Sequence, residues 1–188
     1  MIYETEFKTF VKLIQDQFVY GGKKYAHSTE KESTDCLFDT HGKNWLFGTI
    51  HKYCFRFSNL ARERDLLKIA CYMYILWLKR GYFENPIGTI TPINTTIDIK
   101  EREFNNFINR VETRCLNEET KTILLEMKDK ELIDYISRLM GYFSQINWTQ
   151  VIEEDIFIVF IEAFELWRRN FLTNAGKDAD TWLEGKEK

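Results

Sequence analysis

Apolar residues recur at intervals of three and four along most of this chain, which is the spacing that an amphipathic helix requires. The intervals predict a first helix over residues 3–19, ending at Gly21-Gly22, and a polar loop over residues 21–44. Two helices follow at 45–58 and 62–80, separated by a turn near Ser58-Asn59. Later helices are predicted at 98–116, 118–129, 131–146 and 149–172, with Asp98 as the cap of the first of these. No internal repeat is apparent.

Composition supports the helical prediction. The chain has only two prolines and nine glycines in 188 residues, so it contains few signals that break helices. We predict an all-α protein with a single helical domain of about six helices. Residues 1–80 form its first part, residues 81–97 hold both prolines and form a linker, and residues 98–188 pack on the first part. The 15 Phe, 9 Tyr and 5 Trp are many for one small core, so we expect a homo-oligomer.

Charge is distributed unevenly around a modest net value of −3. Residues 23–80 hold 11 Lys or Arg against 6 Asp or Glu, whereas residues 98–188 hold 13 against 19. A local basic region in an acidic chain favours a small anionic ligand over duplex nucleic acid, which usually requires a basic surface overall. No apolar run approaches the roughly 20 residues that cross a bilayer, and the start MIYETEFKTF is unlike a signal peptide. We therefore expect a cytoplasmic protein without a membrane partner.

Helical spacing places six chemically active side chains on the flanks of the two helices at 45–58 and 62–80. They are Lys52, Tyr53 and Arg56 in the first helix and Asp65, Lys68 and Tyr72 in the second. Residues three, four or seven apart share a helix face, so the two flanks are predicted to face each other across the turn. Arginine binds phosphate through its planar fork and lysine binds it as a point charge. The pattern predicts a phosphate site in residues 1–80; the alternative is a pair of ordinary solvated helix faces.

Lys43 and Trp45 extend this candidate site. They stand where the predicted polar loop meets the first helix of the pair, and loops of this kind commonly bind ligands. Trp45, Tyr53 and Tyr72 are candidates for stacking on a base, an interaction worth roughly 1–3 kcal/mol. The predicted ligand is therefore a nucleotide held by Lys43, Trp45, Tyr53, Lys68 and Tyr72.

A second, acidic pattern lies in the segment VIEEDIFIVFIEAFELWRRNF. Glu154, Glu162 and Glu165 fall within roughly 80 degrees of each other on a helical wheel. Carboxylates gathered in this way hold Mg²⁺, which prefers hard oxygen ligands and bridges phosphates. The alternative is an acidic solvent-facing stripe. Mg²⁺ is the one cofactor that the sequence suggests.

Several familiar motifs are missing from the sequence. It contains neither a G-x-x-x-x-G-K-[ST] phosphate loop nor a G-x-G-x-x-G dinucleotide motif, and it has no H-E-x-x-H or nucleophile elbow. The four cysteines lack the paired short spacing of structural zinc sites. We therefore do not expect a conventional P-loop kinase or a Rossmann enzyme.

One stretch resembles a known family. The matching residues are Phe47, Gly48, Ile50, Lys52, Tyr53 and Arg56, followed by Asp65, Leu66, Lys68 and Tyr72. This pattern is similar to that of the tailed-phage nucleotide-kinase-like family of small helical proteins. Thr49 departs from it, since asparagine usually follows this glycine, and residues 98–188 match nothing in the family. The resemblance implies nucleotide metabolism in the cytoplasm of a phage-infected host cell.

Three functions follow, in this order. In a nucleotide kinase without a P-loop, which the resemblance implies, Lys52 and Arg56 would neutralise the transferred phosphoryl group, and Lys68 would support them. Asp65 would orient Arg56 or receive the acceptor proton. In a non-catalytic protein, the same site would sequester a nucleotide, as an anti-defence protein does. In a MazG-like pyrophosphohydrolase, the Glu154, Glu162 and Glu165 carboxylates would hold Mg²⁺ against the phosphates.

Overall fold

A computed structural model describes residues 2–25, 33–82 and 96–172 of this protein. Within these ranges the chain forms eight α-helices and one 3-10 turn, and no strand. The helices are α1 (Ile2–Tyr25), α2 (Ser33–His41), α3 (Lys43–Leu60), α4 (Glu63–Arg80), α5 (Thr96–Cys115), α6 (Glu118–Glu126), α7 (Asp129–Gln145) and α8 (Glu153–Phe171). The 3-10 turn covers Trp148–Gln150. The all-α prediction is confirmed, with more helices than the six expected.

The prediction of a loop over residues 21–44 was wrong for residues 21–25 and 33–41, and residues 26–32 lie outside the described ranges. Helix α1 continues through Gly21-Gly22 to Tyr25, and α2 occupies Ser33–His41. Glycine can adopt helical angles at a cost of only about 1 kcal/mol, so two glycines do not end a helix whose earlier turns are well packed. The predicted cap was also wrong, because α5 begins at Thr96 and Asp98 lies inside its first turn.

The connection between α3 and α4 is very short. Helix α3 ends at Leu60, two residues beyond the predicted turn, and only Ala61 and Arg62 lie before α4. Ala61 has a left-handed conformation with φ 44°, and its N–H donates to the Phe57 carbonyl at 2.8 Å. This arrangement closes the last turn of a helix. Two residues suffice only for neighbouring antiparallel helices, so α3 and α4 form a hairpin.

Helices α4 and α8 form the centre of the core and are buried along most of their lengths. They run antiparallel, since each places a tryptophan near its end beside a glutamate at the start of the other. The Trp77 indole N–H donates to Glu153 at 2.6 Å, and the Trp167 indole N–H donates to Glu63 at 2.6 Å. These buried bonds satisfy the polar edges of two rings that are otherwise surrounded by apolar side chains.

The two predicted parts of the chain share one hydrophobic core. Helix α3 packs on α7 and α4 on α8, while α1 contacts both α4 and α8. Of the predicted linker, Gly81 ends α4 with φ 79°, residues 83–95 lie outside the described ranges, and α5 begins at Thr96. None of the described helices is long and apolar enough to cross a membrane.

Candidate functional site

The hairpin of α3 and α4 brings most of the predicted site residues together on one side. We call this group the hairpin site. Its members are Trp45, Lys52, Tyr53 and Arg56 on α3 and Asp65, Lys68 and Tyr72 on α4. Their helices present apolar stripes to the core, so these side chains lie along the edge of the buried surface.

Three half-buried aromatic rings form the centre of the hairpin site. The rings of Tyr53 and Tyr72 stack across the two helices, with centroids 5.9 Å apart and planes 22° apart. Trp45 meets Tyr72 edge to face, with centroids 5.8 Å apart and planes 81° apart. The three rings form a continuous aromatic ladder that bridges α3 and α4.

Two cations border this ladder. Lys52 Nζ lies 4.7 Å from the Tyr53 ring centroid, and Arg56 Cζ lies 5.6 Å from it. Lys52 is exposed, and 36% of the Arg56 side chain is exposed. Both distances are within the range of a cation–π interaction, which orients the two positive charges beside the ring and leaves them accessible to an anion.

Asp65 lies beneath the cations and is fully buried. Its Oδ1 is 3.4 Å from Arg56 Nε, yet neither carboxylate oxygen has a hydrogen-bond partner in the described part of the chain. Burial raises the pKa of Asp65, and the charges of Arg56, Arg62, Arg64 and Lys52 lower it without cancelling that rise. When it is ionised, the carboxylate attracts Arg56 by charge, but burial makes this ionised form less favourable than it would be in water.

Arg62 and Arg64 were missed as members of this charged group. Both lie beside Asp65 in sequence, in the turn and first residues of α4, and both act on its pKa. A cluster of basic residues around one aspartate was the available signal. Helical spacing identifies positions on the flanks of the two helices and gives no signal for the turn between them.

Lys68 and Lys43 differ in their placement. Lys68 is half-buried on α4, three residues after Asp65 and four before Tyr72, so it shares their face. The Lys43 ammonium instead donates to the Ile146 carbonyl just after the end of α7. Lys43 therefore ties the start of α3 to α7, and its charge is committed to that contact.

The three carboxylates predicted to bind Mg²⁺ are not gathered into a site. Glu154 is exposed and pairs with Arg114 at 2.9 Å, while Glu162 is buried in the core. Glu165 is also fully buried and accepts hydrogen bonds from Arg168 at 2.9 Å and Arg169 at 2.6 Å. Among the described residues no group of three or more acidic, His or Cys side chains could hold a metal ion. Helical spacing placed these carboxylates correctly on one helix, but their partners separate them.

The pKa values of the two buried glutamates are shifted in opposite directions. Burial alone would raise the pKa of Glu165, but hydrogen bonds from Arg168 and Arg169 lower it overall. Burial raises the pKa of Glu162 well above its usual value, and its Oε2 has no partner among the described residues. Glu165 is therefore a structural anchor whose charged form is stabilised by two arginines, whereas burial disfavours the charged form of Glu162.

Comparison with known proteins adds no relative to this description. No protein-family model matches the sequence, and no curated protein or solved structure is significantly similar to it. The resemblance of residues 47–72 to the tailed-phage nucleotide-kinase-like family therefore stays a prediction, and the function rests on the geometry of the hairpin site.

Proposed function

We propose that the hairpin site binds a phosphorylated nucleotide. The observation that carries this proposal is the contact between the aromatic ladder and two cations, with Lys52 and Arg56 both beside the Tyr53 ring. A nucleotide needs a flat apolar surface for its base and positive charge for its phosphates, at a separation of a few ångströms. The hairpin site offers both on adjacent turns of two packed helices.

The phosphate part of the site is formed by Lys52 and Arg56. Arg56 is held at one end by the buried Asp65, so its guanidinium has less conformational freedom to lose when a phosphate binds. Lys52 is exposed and adds a mobile point charge. Arg62 and Arg64 add positive potential around Asp65, which attracts anions from solution.

The base part of the site is formed by Trp45, Tyr53 and Tyr72. Each ring is half-buried, so its position is fixed by packing while part of its surface stays accessible. Stacking on an aromatic side chain contributes roughly 1–3 kcal/mol per base and tolerates different bases. This mode of binding does not discriminate strongly among purines and pyrimidines.

Sequestration fits the site better than phosphoryl transfer. A proton acceptor must come within hydrogen-bond reach of the attacking hydroxyl, and the Asp65 carboxylate is fully buried behind Arg56. A nucleotide kinase is the second candidate, because Asp65 has a raised pKa and no hydrogen-bond partner within the described ranges, as expected of a carboxylate poised to accept a proton.

The test is a thermal-shift screen of purified protein against nucleoside mono-, di- and triphosphates, with and without Mg²⁺, followed by titration calorimetry. A ligand at about 100 times its dissociation constant should stabilise the fold by roughly 2.7 kcal/mol. Chromatography of the recovered ligand then separates the candidates: unchanged nucleotide supports sequestration, and a product with altered phosphate content supports a kinase.

The matched variants are Lys52→Ala/Arg56→Ala and Arg138→Ala, the latter removing an exposed arginine from α7. The double variant should weaken binding by about 10- to 100-fold, since hydrogen bonds to charged groups contribute roughly 1.5–3 kcal/mol, and Arg138→Ala should leave it unchanged. Unaltered binding in the double variant, or no stabilising nucleotide in the screen, would contradict the proposal.

A further inference from the structure

The second four helices repeat the order and approximate lengths of the first four. Helices α1 to α4 contain 24, 9, 18 and 18 residues, and α5 to α8 contain 20, 9, 17 and 19. A short second helix between longer ones is an unusual pattern to meet twice by chance. The contacts between helices repeat as well, because α1 packs on both α4 and α8, and α5 does the same.

Buried positions occur in the same register in the two sets of helices. Adding 86 to the buried positions of α3 gives those of α7, adding 90 maps the core of α4 onto α8, and adding 97 maps α1 onto α5. The buried residues of α3 and α7 that correspond are Leu46 with Leu132, Phe47 with Ile133, Ile50 with Ile136, Cys54 with Met140, and Phe57 with Phe143. Those of α1 and α5 include Phe7 with Phe104, Phe10 with Phe107, and Ile14 with Val111.

Contacts between the two sets are reciprocal. Phe7 meets Phe164 at 5.2 Å and 89°, and the corresponding Phe104 meets Tyr74 at 5.1 Å and 89°. The hydrogen bond of Trp167 to Glu63 has the counterpart of Trp77 to Glu153, both at 2.6 Å. When residue i contacts residue j and the counterpart of j contacts the counterpart of i, the arrangement is that of a two-fold dimer.

We infer that helices α1 to α4 and helices α5 to α8 are two copies of one four-helix unit, joined in one chain as the equivalent of a two-fold dimer, and that only the first copy retains a nucleotide site. The second part of this inference rests on the proposed function. It predicts one bound nucleotide per chain, although the fold contains two equivalent hairpins.

The residues at the corresponding positions of the second hairpin explain the loss. The corresponding pairs are Lys52 with Arg138, Tyr53 with Leu139, Arg56 with Tyr142, Asp65 with Asp155, Lys68 with Ile158, and Tyr72 with Glu162. One basic residue and the aspartate are kept, while two cations and both stacked tyrosines are absent. The α7–α8 hairpin therefore has neither the aromatic ladder nor the phosphate charge of its counterpart.

The first experiment restores the second site in the full-length protein. In the register that relates α3 to α7, Trp45 corresponds to Glu131. The variant Glu131→Trp/Leu139→Tyr/Tyr142→Arg/Ile158→Lys/Glu162→Tyr should therefore bind two nucleotides per chain by calorimetry, where the parent binds one. A control with Gln at positions 142 and 158 in place of the cations should bind one. Two nucleotides bound by the parent would overturn the inference, as would one nucleotide bound by a folded five-residue variant. A parent that binds none contradicts the proposed function and leaves the duplication to the next test.

The second experiment tests the duplication without any ligand. Spin labels on the exposed positions Lys8 and Gln145, and in a separate sample on the corresponding Asn105 and Asn59, are introduced in a chain with Cys36→Ser. Two-fold related copies require the same mean distance in both samples, measured by dipolar spectroscopy. Two clearly separated distances would refute the duplication, whether or not the grafted variant folds.

Discussion

Asp65 in the α3–α4 hairpin is fully buried beside Arg56, whereas its counterpart Asp155 in the α7–α8 hairpin is half-buried and follows Glu154. Burial raises the pKa of both aspartates, but cations oppose the rise at Asp65 and the Glu154 carboxylate adds to it at Asp155. Both hairpins pack the same register of apolar residues, so the core does not require the cations. Under the proposed function, Arg56 and its neighbours serve to bind a ligand.

The connections of the two hairpins differ in a related way. Two residues join α3 to α4, whereas residues 146–152 join α7 to α8 through the 3-10 turn. The buried Val151 in this longer connection accepts hydrogen bonds from Arg80 at 3.1 Å and from Tyr82. The longer connection of the second hairpin therefore attaches it to the end of α4, whereas the two-residue turn of the first hairpin keeps the flanks of α3 and α4 close together.

The largest effect on stability is expected at Glu153, which joins the copies. Glu153→Ala removes the acceptor of the Trp77 indole and of Arg110 and Arg114, both at 2.7 Å or less. The buried Trp77 N–H and the partly exposed Arg110 then lose their acceptor, while Arg114 keeps Glu154, so the expected loss is about 3 kcal/mol. Urea unfolding should show this loss. The exposed neighbour provides the control, since Glu154→Ala should change the free energy of unfolding by less than about 1 kcal/mol.

Glu162 should destabilise the fold at neutral pH. Its pKa is raised in the folded state, so the folded state binds the proton more tightly and stability falls as pH rises above the usual value of 4.5. Glu162→Met keeps the volume and removes a buried carboxyl group whose Oε2 has no hydrogen-bond partner among the described residues, so it should stabilise the fold by about 1–3 kcal/mol at pH 7. Unfolding measured from pH 4 to 8 should show that this gain increases as the pH rises. A difference between variant and parent that is the same at every pH would refute the raised pKa.

Exchanging residues at corresponding half-buried positions of the two hairpins should separate the effect on stability from the effect on binding. Tyr53→Leu places in the first hairpin the residue that the second has at the same position. We expect nucleotide binding to weaken by about 1–3 kcal/mol through lost stacking, with the free energy of unfolding changed by less than about 1 kcal/mol. Calorimetry measures nucleotide binding, and urea unfolding of the same preparation measures the free energy of unfolding. An equal loss in the free energies of binding and of unfolding would mean that Tyr53 serves packing alone.

The smallest effect is expected at the tight turn that distinguishes the first hairpin. Ala61 has φ 44°, a conformation that costs a residue with Cβ roughly 1–2 kcal/mol and glycine almost nothing. Ala61→Gly should therefore stabilise the fold by up to about 1 kcal/mol after allowing for the greater freedom of glycine in the unfolded chain. Ala61→Val should destabilise it. A change in nucleotide affinity of either variant would show that the turn also positions the hairpin site.

The sequence determined the helical class and the main helices of both hairpins. Leu46, Ile50 and Phe57 recur at helical spacing, and such a pattern reports which side of a helix is buried whatever its neighbours are. The same spacing predicted that the Tyr53 and Tyr72 flanks would meet. Short or glycine-containing helices such as α2 and the end of α1 were missed, because their stability comes from packing rather than from local signals.

Tertiary structure alone decided which polar groups are paired and that the chain is a repeat. Glu162 and Glu165 lie one turn apart on the same helix. Oε2 of Glu162 has no hydrogen-bond partner in the described part of the chain, whereas Glu165 is held by two arginines. The duplication was invisible because corresponding core positions keep apolar character but not residue type, as with Cys54 and Met140. A core requires volume and register, which many residues satisfy, so the two copies diverged in sequence while their reciprocal contacts stayed the same.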